Sequence, residues 1–486
     1  MSFGEDRIYY NNFASHLLNT YNPNMLYPSL PHRWDDGDWC GTIDMIKSFG
    51  FTHFEFWLVP RLFCRDGIDS EYGREFIRQM NVIIDYAAGK DIGVIMLCSL
   101  ATVGSDWMTL CPNVPADWEE LRHLWTQWIK LLPGLGGVSI FPGDPGACSR
   151  NGCTALTYID KSREIAEIIH GNLPEAGIEL NTWGPPFFGW GNIQGPEGWS
   201  GEFLQEYQHT AWEFTRSRME QSMNHLLKRL ADFPPSTVIG INLGFNPDGN
   251  SLGDESAIYW ANEIAKTNPI RTWDFSLTEG ENNVIPHYRF ERLFAQRVRE
   301  QNSAPYQGGI CFTMTPRLNQ LSLWESAQSF LNIEADHTEL AELFFEKLFG
   351  RGGREIVRYL PLFEVVKDWG NYQNVDIESA EYHRSMTQLL DLLESLTPNS
   401  GFPFQPEPAV YKKELLFFAR FFSDLSSSQP DYDELRDRYW RHVYAIYDSL
   451  PQHVDPRPKR ATDRLIDTFR RSSADKNSRI DGKWKE

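Results

Sequence analysis

The sequence predicts an α/β protein, a (β/α)8 TIM barrel followed by an all-α C-terminal region. Short β-type runs alternate with longer helical patterns eight times, which is typical of a parallel sheet covered by helices. After Ile333 the strand pattern stops and only helical patterns follow. An open doubly wound sheet is the alternative. The count of eight, and the lack of a Gly-x-Gly-x-x-Gly turn after the first strand, favour the barrel.

Each barrel strand is predicted from a run rich in apolar and β-branched residues. The predicted strands are 8–15, 51–59, 92–100, 137–141, 178–183, 237–243, 272–278 and 309–315. The helices between them are predicted over 36–49, 70–88, 117–132, 155–170, 201–231, 254–266, 288–301 and 322–333. We therefore expect a barrel domain over residues 1–334.

The remaining residues, 335–486, are expected to form a helical domain. Its predicted helices are 338–349, 353–369, 376–396, 408–426, 431–449 and 461–471. The sequence does not decide whether this domain packs on the barrel or forms a homodimer contact.

Charge and composition exclude several classes of partner. The chain has 46 Lys and Arg against 66 Asp and Glu, a net charge of -20, so nucleic acid and anionic membranes are not expected partners. No run approaches the roughly 18 apolar residues of a membrane span, and the first residues do not resemble an export signal. Seven cysteines, an odd number, predict reduced thiols and a cytoplasmic location.

Carboxylates cluster where the predicted strands end, which is where a (β/α)8 barrel places its active site. Asp144 follows the fourth strand between Gly143 and Pro145, a context that restrains the backbone. Asp274 and Glu279 belong to the seventh strand and its loop. Two carboxyl groups facing each other across the mouth are what glycoside hydrolysis requires, so Asp144 and Glu279 are the first candidate pair and Asp274 is the substitute.

Aromatic and amide side chains near the same strand ends are the candidate substrate-binding groups. Many of the 17 Trp residues lie in Gly- and Pro-rich segments, and flat aromatic rings suit the faces of sugars. Asn side chains can hydrogen-bond sugar hydroxyls. The predicted substrate-binding residues are Glu55, Trp57, Asn181, Trp183, Trp190, Asn242 and His287.

Metal, cofactor and nucleophile motifs are weak in this sequence. Four residues separate Cys148 from Cys153 and no second Cys/His pair is nearby, so neither a metal nor a cofactor is expected. The sequence contains no Gly-x-Ser-x-Gly elbow and no phosphate-binding Gly-x-x-x-x-Gly-Lys-Ser/Thr loop.

Two short runs resemble a group of carbohydrate enzymes. These are Phe-Pro-Gly-Asp-Pro-Gly after the fourth strand and Trp-Asp-x-x-x-Thr-Glu-Gly at the seventh. With the order of barrel then helices, they resemble (β/α)8 glycoside hydrolases of the β-N-acetylhexosaminidase and α-glucuronidase type. Unlike the hexosaminidases, the chain has Pro145 rather than Glu after Asp144.

The resemblance implies a glycosidase acting on an oligosaccharide or glycoside. An exo mode is expected because the long, Trp-rich loops would wall off a pocket. Two alternatives stay open: a non-catalytic carbohydrate-binding barrel, and a barrel isomerase or lyase that uses His287 or His53 as its base.

Overall fold

The protein was analysed as a computed structural model. The structure describes residues 5–11, 35–63, 68–101, 103, 110–143, 148, 150–182, 216–234, 236–241, 254–273, 297–298, 300–312, 320–363, 376–377, 379–400, 408–435 and 437–438.

Eight parallel strands form a closed barrel in chain order, and the last strand pairs with the first. The predicted (β/α)8 fold is therefore confirmed. The strands are β1 (Asp6–Asn11), β2 (His53–Leu58), β3 (Gly93–Ser99), β4 (Gly137–Phe141), β5 (Gly177–Asn181), β6 (Val238–Ile241), β7 (Ile270–Thr272) and β8 (Gly308–Phe312).

Helices follow the strands as predicted in the described part of the chain. In the barrel region they are α1 (Asp36–Phe49), α2 (Pro60–Phe63), α3 (Glu71–Ala88), α4 (Pro115–Leu131), α5 (Ala155–Asn172), α6 (Arg216–Arg229), α7 (Asp254–Ile264) and α8 (Gln320–Leu331). The C-terminal region contributes α9 (His337–Phe349), α10 (Ala380–Ser395), α11 (Pro408–Leu425) and a 3-10 helix (Arg351–Phe363). The predicted helix at 461–471 lies outside the described residues.

Several predicted elements have other bounds in the structure, for example the first strand, which begins at Asp6 rather than at Ile8, and the short helix Pro60–Phe63 was not predicted. The seventh strand begins at Ile270 rather than at Thr272. Arg271 can belong to a buried strand because two carboxylates compensate its charge inside the barrel. Of the segment predicted as an α-helix over 353–369, the described part, 353–363, belongs to the 3-10 helix instead. Pro361 lies inside this helix, and a proline lacks the N–H that a regular α-helix needs there.

Side-chain caps fix where four of the helices begin. Ser70 accepts a hydrogen bond from the backbone N–H of Gly73 at 3.0 Å, at the start of α3. Thr154, Asp336 and Ser379 accept equivalent bonds at the starts of α5, α9 and α10. Each cap satisfies a backbone donor that has no partner within its own helix.

Glycines at the start of β8 allow the barrel to close. Gly308 has a φ of 154°, and a Cβ there would lie 1.9 Å from the backbone oxygen of Asp6 on β1. At Gly309 a Cβ would lie 1.9 Å from Oγ1 of Thr272 on β7. Since neither position has room for a side chain, β8 can approach both of its neighbours at hydrogen-bonding distance.

The C-terminal helices pack on the outside of the barrel and share one hydrophobic core with it. Phe344 on α9 lies in the middle of this contact, with ring centroids 6.4 Å from Phe49 on α1, 6.4 Å from Trp324 on α8 and 6.2 Å from Tyr411 on α11. The domain boundary near residue 334 stays a prediction. Among the described residues, no helix has the length and apolar character that crossing a membrane would need.

Replacing Phe344 by Ala is expected to lower the free energy of unfolding by about 3–5 kcal/mol, because the ring is fully buried among helices from both regions. Phe417→Ala, at a partly buried ring on α11, should have a clearly smaller effect. Denaturant unfolding of the two variants measures this difference. Equal losses in the free energy of unfolding would show that the Phe344 ring contributes no more to stability than the partly buried Phe417 ring does.

Candidate active site at the barrel mouth

Three of the predicted site residues lie in the described part of the chain: Glu55, Trp57 and Asn181. The other predicted residues lie outside it: Asp144, Trp183, Trp190, Asn242, Asp274, Glu279 and His287. In the chain, Asp144 comes three residues after the end of β4, and Asn242 directly follows β6. The structure thus describes the strand ends that come before Asp144 and Asn242 in the chain.

The barrel interior is built as two layers. Four strands place a polar side chain in the lower layer and, two residues later, another inward side chain in the upper layer, nearer the carboxyl ends of the strands. This spacing follows because alternate residues of a strand point to the same side. The lower and upper residues are Glu55 and Trp57 on β2, Ser139 and Phe141 on β4, Glu179 and Asn181 on β5, and Arg271 on β7 with Trp273 directly after that strand.

Arg271 is the centre of the lower layer. Its guanidinium donates to Glu179 at 2.6 Å and to Asp6 at 2.8 Å, and Ser139 donates to the second oxygen of Glu179 at 2.9 Å. Neither carboxylate is on a strand adjacent to β7, so these contacts cross the interior of the barrel. Burial acts to lower the pKa of Arg271, but the charges of Glu179 and Asp6 outweigh it and raise that pKa.

A glycine makes room for this arrangement. Gly240 on β6 lies between β5 and β7, and a Cβ there would lie 2.9 Å from Oε1 of Glu179 and 3.5 Å from the amide nitrogen of Asn181. A larger residue would push Glu179 away from Arg271.

Glu55 shares the lower layer, in surroundings that disfavour its charged form. Burial is the main cause that raises the pKa of its carboxyl well above the usual value, and the nearby charge of Glu179 adds to the rise. Arg271 acts in the opposite direction, with a smaller effect. Because Asp6 and Glu179 already compensate Arg271, the surroundings of Glu55 favour the protonated form of its carboxyl.

The upper layer is aromatic. Tyr10 on β1 and Phe312 on β8 add to Trp57, Phe141 and Trp273, and these rings lie within 5.1–5.7 Å of one another, measured between centroids, in a connected series. All five are at most 2% exposed. We call these five rings the aromatic floor, because they separate the lower layer from the mouth of the barrel.

The structure gives the three described candidates different positions. Trp57 belongs to the aromatic floor, and Asn181 lies at the end of β5, level with Gly240. Glu55 lies one layer deeper, beneath Trp57 on the same strand, and has no exposed surface.

Glu179, Arg271 and Ser139 were not predicted as site residues. The alternation along β5 held the signal for Glu179, because Ile178 and Leu180 on either side of it are apolar and face the helices. For Arg271 the sequence offers no such signal, since its nearest carboxylates are 92 and 265 residues away in the chain.

His53, one of the two predicted bases of the isomerase or lyase alternative, lies at the opposite end of the barrel. It is the first residue of β2, and its Nδ1 is 2.9 Å from the hydroxyl of Thr52. Burial and then the charge of Arg271 lower the pKa of His53 to about 4. A residue at the amino ends of the strands is far from the mouth, where barrel enzymes bind their substrates.

One group of side chains in the described part of the chain could hold a metal ion. The sulfur atoms of Cys111, Cys148 and Cys153 all lie within 4.8 Å of one another, and the three residues are buried. None of the six described cysteines is in a disulfide.

No protein-family model matches the sequence, and no curated protein matches it. Solved structures do share the fold. A mutant of the O-GlcNAc hydrolase of Thermobaculum terrenum aligns with a TM-score of 0.50 over 93% of this chain and 96% of that chain, at 11% sequence identity. CpGH84B (TM-score 0.49, 11% identity) covers 90% of this chain and 74% of its own, and a GH138 enzyme targeting pectin rhamnogalacturonan II (0.47, 9%) covers 98% and 69%. At these identities the likeness to the first structure shows the (β/α)8 fold alone.

The two buried glutamates should respond to amide substitution in opposite ways. Glu55→Gln is expected to raise the free energy of unfolding, by an amount that grows as the pH rises above the ordinary Glu pKa of 4.5, because burial in the wild type favours the protonated carboxyl and Gln has no proton to lose. Glu179→Gln should lower it by about 3–5 kcal/mol, because Arg271 loses a buried partner. Denaturant unfolding at several pH values measures both effects.

The double variant provides the control for this interpretation. In Glu179→Gln alone, Glu55 loses a negative neighbour and can ionise to replace part of the lost charge. Glu55→Gln should therefore be destabilising in the Glu179→Gln background, although it is stabilising in the wild type. If the two substitutions have additive effects on the free energy of unfolding, Glu55 and Glu179 do not interact within the lower layer.

The lowered pKa of His53 makes stability depend on pH in the acid range. The unfolded chain binds a proton near pH 6.5 and the folded chain only near pH 4, so stability is greatest above 6.5 and falls as the pH drops toward 4. Between pH 7.5 and 5 we expect a loss of about 1–2 kcal/mol from this residue. His53→Gln should remove that part of the loss, whereas His170→Gln, at an exposed position, should not.

Proposed function

We propose that this protein is a glycoside hydrolase that binds a sugar at the barrel mouth, above the aromatic floor. The observation that carries the proposal is the floor itself: five rings from β1, β2, β4, β7 and β8 lie together at the end of the barrel where such folds bind their substrates. The five rings are buried, so they are proposed to form the apolar base of the site, and the sugar is proposed to contact side chains of the segments that follow the strands.

The catalytic groups of this proposal are carboxyls of the loops that leave the floor. Asp144 comes three residues after Phe141, and Asp274 directly follows Trp273. Phe141 and Trp273 are in contact, with ring centroids 5.7 Å apart. The two chain segments that carry Asp144 and Asp274 therefore start from neighbouring points, which supports a carboxyl pair drawn from β4 and β7. Glu279, five residues further along the second loop, remains the first partner proposed for Asp144.

In this mechanism one carboxyl protonates the leaving oxygen, and the other attacks the sugar or activates water. Asn181 and Asn242, at the ends of the adjacent strands β5 and β6, are proposed to bind sugar hydroxyls together with His287. Trp183 and Trp190 are proposed to wall the site above the floor. Glu55 is proposed to act from below as a positioning residue, holding the polar layer on which the floor lies.

The fold is compatible with this activity, because the O-GlcNAc hydrolase of similar fold is itself a carbohydrate enzyme. We propose an oligosaccharide or glycoside as substrate and an exo mode of action. The six described cysteines are free thiols, which favours a reducing compartment such as the cytoplasm. A homodimer through the C-terminal helices remains a proposal.

The test is hydrolysis of a panel of 4-nitrophenyl glycosides that includes N-acetylglucosaminide and glucuronide in both anomers. We expect the wild type to release nitrophenol from at least one member. Asp144→Asn and Glu279→Gln should each lower kcat by about 10²–10⁴-fold with little change in KM, the loss typical of removing an acid or base. Glu119→Gln, which removes an exposed carboxylate on α4, is the matched control and should keep full activity.

The same panel separates the alternatives. Binding of oligosaccharides without turnover of any glycoside would favour the non-catalytic barrel and contradict the proposal. A far larger loss with His287→Ala than with either carboxyl variant would favour the isomerase or lyase. If Asp274→Asn is inactive while Glu279→Gln is not, Asp274 replaces Glu279 as the partner of Asp144. Thermal melting of each variant confirms that it is folded.

A further inference from the structure

Three cysteines that are distant in sequence meet in a small cluster beside the barrel mouth. Cys111 belongs to the segment between β3 and α4, and Cys148 and Cys153 belong to the segment between β4 and α5. The sulfur atoms of Cys111 and Cys153 are 3.5 Å apart, and all three lie within 4.8 Å of one another. The cluster is separate from the main core and also contains Ala101 and Val114.

The loops around the cluster are held in place by hydrogen bonds. The side-chain amide of Asn113 donates to the backbone oxygen of Asn151 at 3.0 Å, and Asn151 donates to the Cys111 sulfur at 3.4 Å. The backbone N–H of Cys111 donates to Asp117 at 2.8 Å. The bond between Asn113 and Asn151 joins the two loops without a sulfur atom, so a contact other than that between the thiols helps to hold the three cysteines together.

The backbone between the second and third cysteine is also specialised. Asn151 and Gly152 both have positive φ angles, 52° and 71°, and this left-handed turn brings Cys153 back toward Cys148. Asn is one of the residues that tolerates this conformation, and Gly adopts it without strain. The turn therefore fits its two residues and lets the chain bring Cys153 near the other two buried sulfurs.

We propose that Cys111, Cys148 and Cys153 are thiolate ligands of a single thiophilic metal ion of the zinc class, which links the loops after β3 and β4. Zinc–sulfur bonds of about 2.3 Å in tetrahedral geometry place sulfur atoms about 3.8 Å apart. The distance of 3.5 Å between the sulfur atoms of Cys111 and Cys153 is close to that value, and the sulfur of Cys148 lies within 4.8 Å of both. They are much longer than the bond of about 2.05 Å in a disulfide.

The donor set and its surroundings suit this ion. Thiolates prefer zinc and other thiophilic metals to magnesium or calcium. N–H groups that donate to sulfur are a common second layer around such sites, and Asn151 supplies one here. Within the described part of the chain the group has no fourth Cys, His or carboxylate, so the fourth ligand is water or a residue outside that part.

The spacing explains why the sequence does not predict the site. Cys148 and Cys153 alone form an incomplete pair, and Cys111 lies 37 positions before the first of them. Only the barrel, which puts the ends of β3 and β4 side by side, brings the third ligand into reach.

The experiment is zinc binding to the untagged full-length chain, reduced and freed of metal with a chelator. Competition with a chromogenic zinc indicator should give one ion per chain. Each of Cys111→Ser, Cys148→Ser and Cys153→Ser should weaken binding by about 100-fold or more, because a hydroxyl is a poor zinc ligand. Cys40→Ser, at a partly buried cysteine of α1 outside the cluster, is the matched control and should bind as the wild type does.

Two further measurements do not depend on how well the variants fold. Cobalt added to the wild type should give the near-ultraviolet thiolate-to-cobalt absorption, and X-ray absorption of the zinc form should count three sulfur ligands. Wild-type binding equal to that of the triple Ser variant would overturn the proposal. So would a protein that takes up no zinc when reduced but forms a disulfide between two of these cysteines in air, since the cluster would then be a redox pair.

Discussion

The interior of this barrel depends on how one positive charge is compensated. Arg271 lies where hydration is lost, and a bare guanidinium in such a place is strongly unfavourable. Glu179 and Asp6 reach it from two other strands, and Ser139 fixes the orientation of Glu179. The requirement extends to a position with no side chain, because Gly240 must leave space for Glu179. Glu55 completes the layer, and burial together with the charge of Glu179 raises the pKa of its carboxyl.

This polar layer also determines what can lie above it. Each polar residue is followed, two positions later, by a side chain nearer the mouth, so the placement of Glu55 and Arg271 also sets the height of Trp57 and Trp273. The rings of the aromatic floor therefore rest on a rigid, hydrogen-bonded base. A base of this kind is what a binding surface needs if its rings are to keep their positions before a ligand arrives.

Much of the fold was predictable because the pattern of strand and helix is repeated eight times and each repeat supports the others. Helix α1 and strand β4 were predicted with the bounds that they have in the structure. The prediction failed at β7, where Arg271 reads as a polar residue before the strand, since its partners are too distant in the chain to be recognised.

The candidate site was less predictable for the same reason. Trp57 and Asn181 lie near the ends of their strands, where the sequence predicted them. Glu55 lies deeper than a substrate-binding residue would, because sequence gives the side to which a residue points but not its depth along a tilted strand. The role of Cys111 depends on two loops that meet only in the folded barrel. The proposed catalytic carboxyls lie outside the described residues and remain predictions.

The pairing of Arg271 with Asp6 spans 265 residues and has a consequence for how the chain is made. A ribosome adding about 5–20 residues per second needs on the order of 15–60 s to pass from β1 to β8. During that interval β1 has only one of its two neighbours, and its other edge, with unpaired backbone groups, can pair with another chain. Barrel closure is thus a late event that joins residues far apart in the chain. The growing chain, before β8 pairs with β1, is therefore the form most exposed to aggregation.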